Sequence, residues 1–380
     1  MRFIILSTLI CLLFYACHQP SATNSTDTQT LTLPTETSDS FFSNHFQLET
    51  IIPLETSDTF LISQPKRVIR TSIGIFVLST FENLAALIDE SNGKVRWLVH
   101  RIGNGPGEWN KLIDMAYDES SGLLLLLNDY GKIQAFSAAH GRFLWEIQTE
   151  GLYENMTCHQ GKVILHSQIE GYGCYPYQTA TYDIKRQQWN HPDKRQKVEF
   201  PIRGAGRQMV NSRHLWITAP LDGNLYRWNK DTLYADYLID IPDLKRVETI
   251  RKENEKAPFA LIDKIQQEKL IHSVFSVRET QRYLAFQTNL RDCLLLLDKE
   301  KNEIHAATFC LKGIGELTHR DYYPHDGNDD KSLMFILPAE RWDAYALKNT
   351  YPEIYERIFK NKDIKLDDNP MLVFFRETEE

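Results

Sequence analysis

The chain has 380 residues, 43 Lys and Arg against 51 Asp and Glu, a formal net charge of −8, and 42% hydrophobic and 25% charged residues. That is globular composition in a chain long enough to bury a sizeable core without disulfides or metal. The acidity is spread without a basic stripe, which excludes the footprint of a protein that grips a polyanion, so nucleic acid is not an expected partner. A binding or scaffold module and an enzyme both stay open on these numbers.

Met1 and Arg2 precede an almost uncharged apolar run over 3–16, which ends at Cys17. This is the layout of a secretory signal, too short to cross a bilayer about 30 Å thick as a helix. Ala16 directly before Cys17 resembles the lipobox of bacterial lipoproteins, which implies cleavage before Cys17 and acylation of that residue. The acyl chains would anchor the protein at about 0.8 kcal/mol per buried methylene. A plain signal peptide cut near the same point is the alternative. Residues 18–40 are dominated by Ser, Thr, Asp, Gln and Pro, too poor in apolar side chains to offset their chain entropy. The expected organisation is a signal over 1–16, a lipidated Cys17 with a flexible stalk over 17–44, and one folded unit over 45–380.

Within that unit a short apolar run recurs: IFVL at 75–78, LLLL at 124–127, VILH at 163–166, LWIT at 215–218, LAFQ at 284–287 and LMFI at 333–336. The starts lie 49, 39, 52, 69 and 49 residues apart, near the period of propeller blades. A continuous apolar run reads as the buried inner strand of a blade, and alternating segments read as outer strands. Gly93, Gly131, Gly141 and Gly223 sit in turns between successive strands, where tight hairpins need glycine. Six such units predict an all-β fold, a six-bladed β-propeller.

Two stretches break the pattern. Residues 243–271 read as an amphipathic helical insertion with a stop near Pro258, and 351–362 read as a short helix ahead of a closing strand at 371–375. The strand at 46–55 has no early partner, and in a closed ring it pairs with the last blade.

Segment 75–112, with its turn Gly103, Gly105, Pro106, Gly107, Glu108 and Trp109, is similar to the first blade of the six-bladed β-propeller lipoproteins of Bacteroidetes. The ending Asn369, Pro370, Met371 and Leu372 resembles the strand that closes those proteins, and 51–55 resembles their opening strand. The resemblance spans about 45–377 and implies the fold and a place in the cell envelope, with the outer membrane favoured. It carries over no catalytic residues.

The glycine-rich turn lacks the Lys-Ser/Thr pair of a phosphate-binding loop and precedes no helical pattern, so Gly103, Gly105, Pro106, Gly107 and Glu108 read as a structural inter-blade turn. Gly105 and Gly107 are expected at positive φ there. Tyr172, Tyr175 and Tyr177, with Trp189 downstream, offer rings for a sugar or peptide, against the alternative of packing between blades. His159 and His319 are the candidate binding histidines. His166, Asp321, His325 and Asp326 accompany them without a HExxH, CxxC or EF-hand pattern. No metal or cofactor is expected. No G-x-S-x-G elbow occurs, and the adjacent pairs Asp89, Glu90 and Asp329, Asp330 are wrongly spaced for glycoside hydrolysis. Cys158 with Cys174, and Cys293 with Cys310, lie close enough in sequence for intra-blade disulfides, although free core cysteines are favoured. The expectation is a monomeric, lipid-anchored, non-catalytic module that binds a peptide, protein or glycan at one end of the propeller channel. A lyase or hydrolase in that channel is the alternative.

Overall fold

The computed structural model describes residues 28–167, 178–191, 206–254, 257–290, 292–311, 313–359 and 364–378. Six sheets of antiparallel strands follow one another around a central axis. Blades one, two and three begin with the first strands Arg67–Thr71, Leu112–Asp118 and Asn155–His159, and blades four and five with Met209–Asn211 and Val274–Glu279. In blade six, residues 322–327 take the first-strand place through a bridge from Tyr322 to Phe335 and a parallel bridge from Asp326 to Ile69 of blade one.

The recurring apolar runs are second strands, one place further from the axis than the inner position expected for them. Gly74–Ser79, Leu123–Asn128, Tyr283–Thr288 and Ser332–Leu337 are buried at every residue. A second strand is flanked by strands on both edges and by neighbouring blades on both faces, so water reaches none of it. First strands face the channel, and their sequences carry the charges instead. Fourth strands such as Val95–Val99 and Phe143–Gln148 are mostly half-buried, with single exposed residues between.

Ring closure follows the expected pairing. Met371–Glu377 lies between Ser332–Leu337 and Phe46–Pro53, with Val373 opposite Phe335 on one side and Ile51 on the other. Phe42, Phe309, Phe335 and Phe375 pack behind this joint, the Phe42 and Phe309 rings stacked at 4.3 Å.

Of the segments outside the blades, the expected stalk needs correction, and the two expected helical stretches are present with more detail than the sequence showed. The predicted stalk is ordered from residue 28. Gln29–Thr32 adds a parallel fifth strand to blade four, Thr37–Ser38 does the same for blade five, and Phe41–His45 is helical. Backbone pairing with an existing sheet edge supplies what the polar side chains lack, and Leu31 is buried in the process. The 243–271 insertion is two helices, Leu244–Glu253 and Pro258–Gln267. Pro258 starts the second helix because its missing N–H is no loss at a first turn, and Val247, Ile250, Leu261 and Ile265 pack the pair together. The C-terminal helix Pro352–Ile358 is preceded by another, Ala344–Thr350, whose Asp343 side chain accepts from the Ala346 N–H. Among the described residues no helix is long and apolar enough to cross a membrane.

Candidate functional site

First strands bring charged side chains to the axis. Arg67 is fully buried; its Nε donates to Asp326 at 2.8 Å and its Nη1 to Asp114 at 2.6 Å and to the Met156 carbonyl. Asp326 also takes Nη1 of Arg207 at 2.8 Å and the Asn211 N–H at 2.6 Å, while Asp114 accepts the Met156 N–H at 2.6 Å. Blades one, two, three, four and six are thereby tied at one point. Blade five joins through the buried Arg278, which donates to the carbonyls of His325 and Gly327 at 3.2 Å each. Burial pushes the Asp326 carboxyl up, but the Arg207 and Arg67 guanidinium groups outweigh it and hold the pKa below the usual range. Arg67 is likewise held charged, burial being outweighed by Asp114 and Asp326.

His325 sits within this plug with both ring nitrogens unpartnered and its ring edge-on to Phe374 at 5.3 Å. Burial, and then the cations Arg278, Arg70 and Arg207, hold its pKa well below 6.5. It is a neutral filler of the channel.

The plug divides the channel into two mouths. The first, about 750 Å³, is lined where first strands end and turn: Ser72, Glu119, Gln160, Arg213 and Asn328. Its carboxylates are Glu90, Asp118, Glu119, Asp326 and Asp329, against Arg70, Arg213 and Arg376. Arg70 is consumed by Glu49 at 3.0 Å, Glu90 at 2.5 Å and Asp329 at 2.9 Å, and Arg376 by Glu49 at 2.7 Å. The second mouth, about 660 Å³, is lined where first strands begin, by Lys66, Arg207 and Tyr323 among others. Among the described residues no group of three or more His, Cys, Asp or Glu is placed to hold a metal.

The candidates named from sequence scatter across this frame. His159 lines the first mouth, its Nδ1 3.2 Å from Asn211 Oδ1, with burial pushing its pKa down. His319 lies away from the axis, in a 3-10 turn that lines a separate cavity of about 540 Å³. Cys17, Tyr172, Tyr175, Tyr177 and Cys174 lie outside the described residues. Trp189 packs on Tyr182 at 4.8 Å. Cys158, Cys293 and Cys310 carry free thiols; Cys158 is buried, but Cys310 is exposed rather than in the core. Burial pushes the Cys293 thiol up to about 11.

The turn of Gly103, Gly105, Pro106, Gly107 and Glu108 joins blade one to blade two and lines neither mouth. Glu108 accepts from the Gly105 N–H at 2.8 Å, and Trp109 is fully buried with its indole N–H on the Asn83 carbonyl at 3.2 Å. Positive φ, expected at both Gly105 and Gly107, occurs only at Gly107, at 71°. At Gly105 the closeness of Glu108 sets the requirement, since a Cβ there would lie 3.0 Å from its carboxylate. Arg67, Asp114, Arg207 and Arg278 escaped the sequence reading. Partners 47 and 259 residues away leave no local motif.

A family model described as "Domain of unknown function (DUF4934)" matches residues 34–376. Among solved structures, a Bacteroides fragilis NCTC 9343 protein described as exported is similar over 92% of this chain and 99% of its own, at 15% identity and a TM-score of 0.67. A member of the duf4221 family from Bacteroides vulgatus is similar over 88% and 98%, at 8% identity and a TM-score of 0.46. No curated protein matches in sequence.

Proposed function

The chain belongs to the DUF4934 family, and from that premise and the propeller fold we propose a non-catalytic binding module of the cell envelope that holds a peptide, protein or glycan in a mouth of its central channel. In this reading Cys17 carries the lipid that anchors it to a membrane. The observation that supports binding is the plug. Charges that would be available to chemistry in an open channel are spent on one another across four blades, and what remains is two blind, preformed cavities of ligand size. The Ala16, Cys17 junction supports the envelope and the anchor.

The test is capture of the full chain from native membranes, followed by mass spectrometry of what it carries and re-addition of that compound to purified protein. The expected result is stoichiometric, reversible binding with the compound recovered unchanged. Conversion of the compound by the wild-type chain overturns the reading in favour of an enzyme. Cys17→Ala is expected to move the protein from the membrane to the soluble fraction, and sedimentation with membranes after a high-salt wash would remove the anchor.

A further inference from the structure

The second mouth is built for negative charge. Its lining holds Lys66, Arg207, Arg320 and Arg341 against the single carboxylate Asp321, in a chain whose net charge is −8. Arg341 already occupies Asp321 through bonds of 2.9 and 2.5 Å. Lys66 and Arg320 are exposed, and neither has an ion-pair partner among the described residues. They form a cationic rim.

The floor is polar and unfilled. Gln287 is 1% exposed, lines the cavity, and its Nε2 has no hydrogen-bond partner. A buried amide donor left unpaired costs stability, and the cavity it lines is the route by which an acceptor, a water or a ligand oxygen, can reach it. The cause of the orphan is visible one strand away. Ser276 sits at φ 60°, a left-handed residue inside a strand, and the pairing register slips between Phe275 and Arg278, across from Gln287. That bulge puts Ser276 in the same lining, with its Oγ accepting from the Arg207 N–H at 3.3 Å and its hydroxyl donating to no acceptor among the described residues. Two donors below and two unpaired cations above describe a receptor for an oxygen anion. Phe81, 86% exposed at the same mouth, offers an apolar face to whatever carries that anion.

We infer that the second mouth binds an oxyanion, a carboxylate or phosphate group of the ligand, through Gln287, Ser276, Lys66 and Arg320. This rests on the binding-module reading and names the chemistry of its ligand.

The experiment is calorimetry on the full chain with trigalacturonate, inorganic phosphate and neutral maltotriose, at low salt and at about 0.3 M salt. An oxyanion probe is expected to bind, and its affinity to fall with salt because the rim cations are exposed. Preference for trigalacturonate assigns a carboxylate, and equal or tighter binding of phosphate assigns a phosphate group. The double variant Lys66→Glu, Arg320→Glu changes exposed side chains only and is expected to weaken binding at least tenfold. Gln287→Leu weakens it as well, and Lys245→Glu on the distant insertion helix leaves it unchanged. The inference is overturned if neither oxyanion binds, or if binding is indifferent to charge reversal at the rim. Where maltotriose or the compound captured from membranes binds and the oxyanions do not, the inference falls and the binding-module reading stands; where nothing binds, both fall.

Discussion

The two mouths of the channel are opposite ends of the same first strands, yet they differ in every respect that matters to a ligand. In the first mouth Arg70 faces three carboxylates and Arg376 is held by Glu49, so among the described residues Arg213 is the one lining cation without an ion pair, against five lining carboxylates; of these Glu119 has the Asn328 amide at 3.0 Å and a long contact to Ser72. In the second mouth the carboxylate is spent, on Arg341, and Lys66 and Arg320 remain. The five residues of Arg67–Thr71 cover about 17 Å, so the sign of the surplus charge reverses within one strand length. The fold places both mouths, and the side chains at strand ends decide what each can hold. A buried set of matched charges keeps the two fields apart.

The strongest way to break this comparison is to open the ring. Deletion of 371–380 removes the strand that holds Ser332–Leu337 to Phe46–Pro53, closes no loop and bares two apolar edges. Insoluble or non-cooperatively melting protein is expected on gel filtration and calorimetry, and a monomer that melts like wild type would remove the closed channel. Next is the shared floor. Asp326→Ala leaves Arg67 and Arg207 buried without their common partner and is expected to cost about 3–5 kcal/mol in urea denaturation. An unchanged midpoint would mean that the plug does not hold the blades together.

Smaller changes sharpen the comparison. Deleting 28–38 strips the added edge strands of blades four and five and exposes the site that Leu31 covers; a loss of about 2 kcal/mol is expected, with both mouths intact. Gly107→Val forces a branched side chain into φ 71° against the Phe143 ring, where a Cβ would come within 2.6 Å. It should cost about 1–3 kcal/mol without altering ligand binding. The gentlest probe is pH. The folded chain holds His325 neutral while the unfolded chain protonates it near 6.5, so the unfolded state gains protons as pH falls and stability drops below about pH 6.5. His325→Leu is expected to flatten that slope, leaving the share contributed by His159, His272, His305 and His319, whose pKa values burial also lowers. An unaltered slope would place the acid sensitivity elsewhere.

The blade count was legible because second strands are sealed on both faces, and a sealed strand is written mostly in apolar letters such as LLLLL at 123–127. The closing pair was legible because each strand lacked a partner nearby in sequence. The plug was not. Arg67 and Asp326 are ordinary charged residues until the ring brings them to 2.8 Å, and Asp326 read as an acid near the candidate histidines, outside any metal pattern. Gln287 read as the end of an apolar run, and nothing in LAFQ reveals that its amide goes unpaired. The ordered start of the chain did carry a signal, the Thr, Leu alternation at 30–33, but polar composition outweighed it. A strand that joins an edge already formed needs only one buried face.

Residues 28–53 run along the outer edges of blade four, blade five and blade six in succession before the chain enters blade one. A tension applied at residue 28 therefore meets the parallel pairing with Tyr237 to Asp240 first, then the short pairing with Ala306 and Ala307, and only afterwards the joint that closes the ring. The early pairings act as mechanical fuses in series: they yield one at a time under load, and each lengthens the leash while the channel and both its mouths keep their shape.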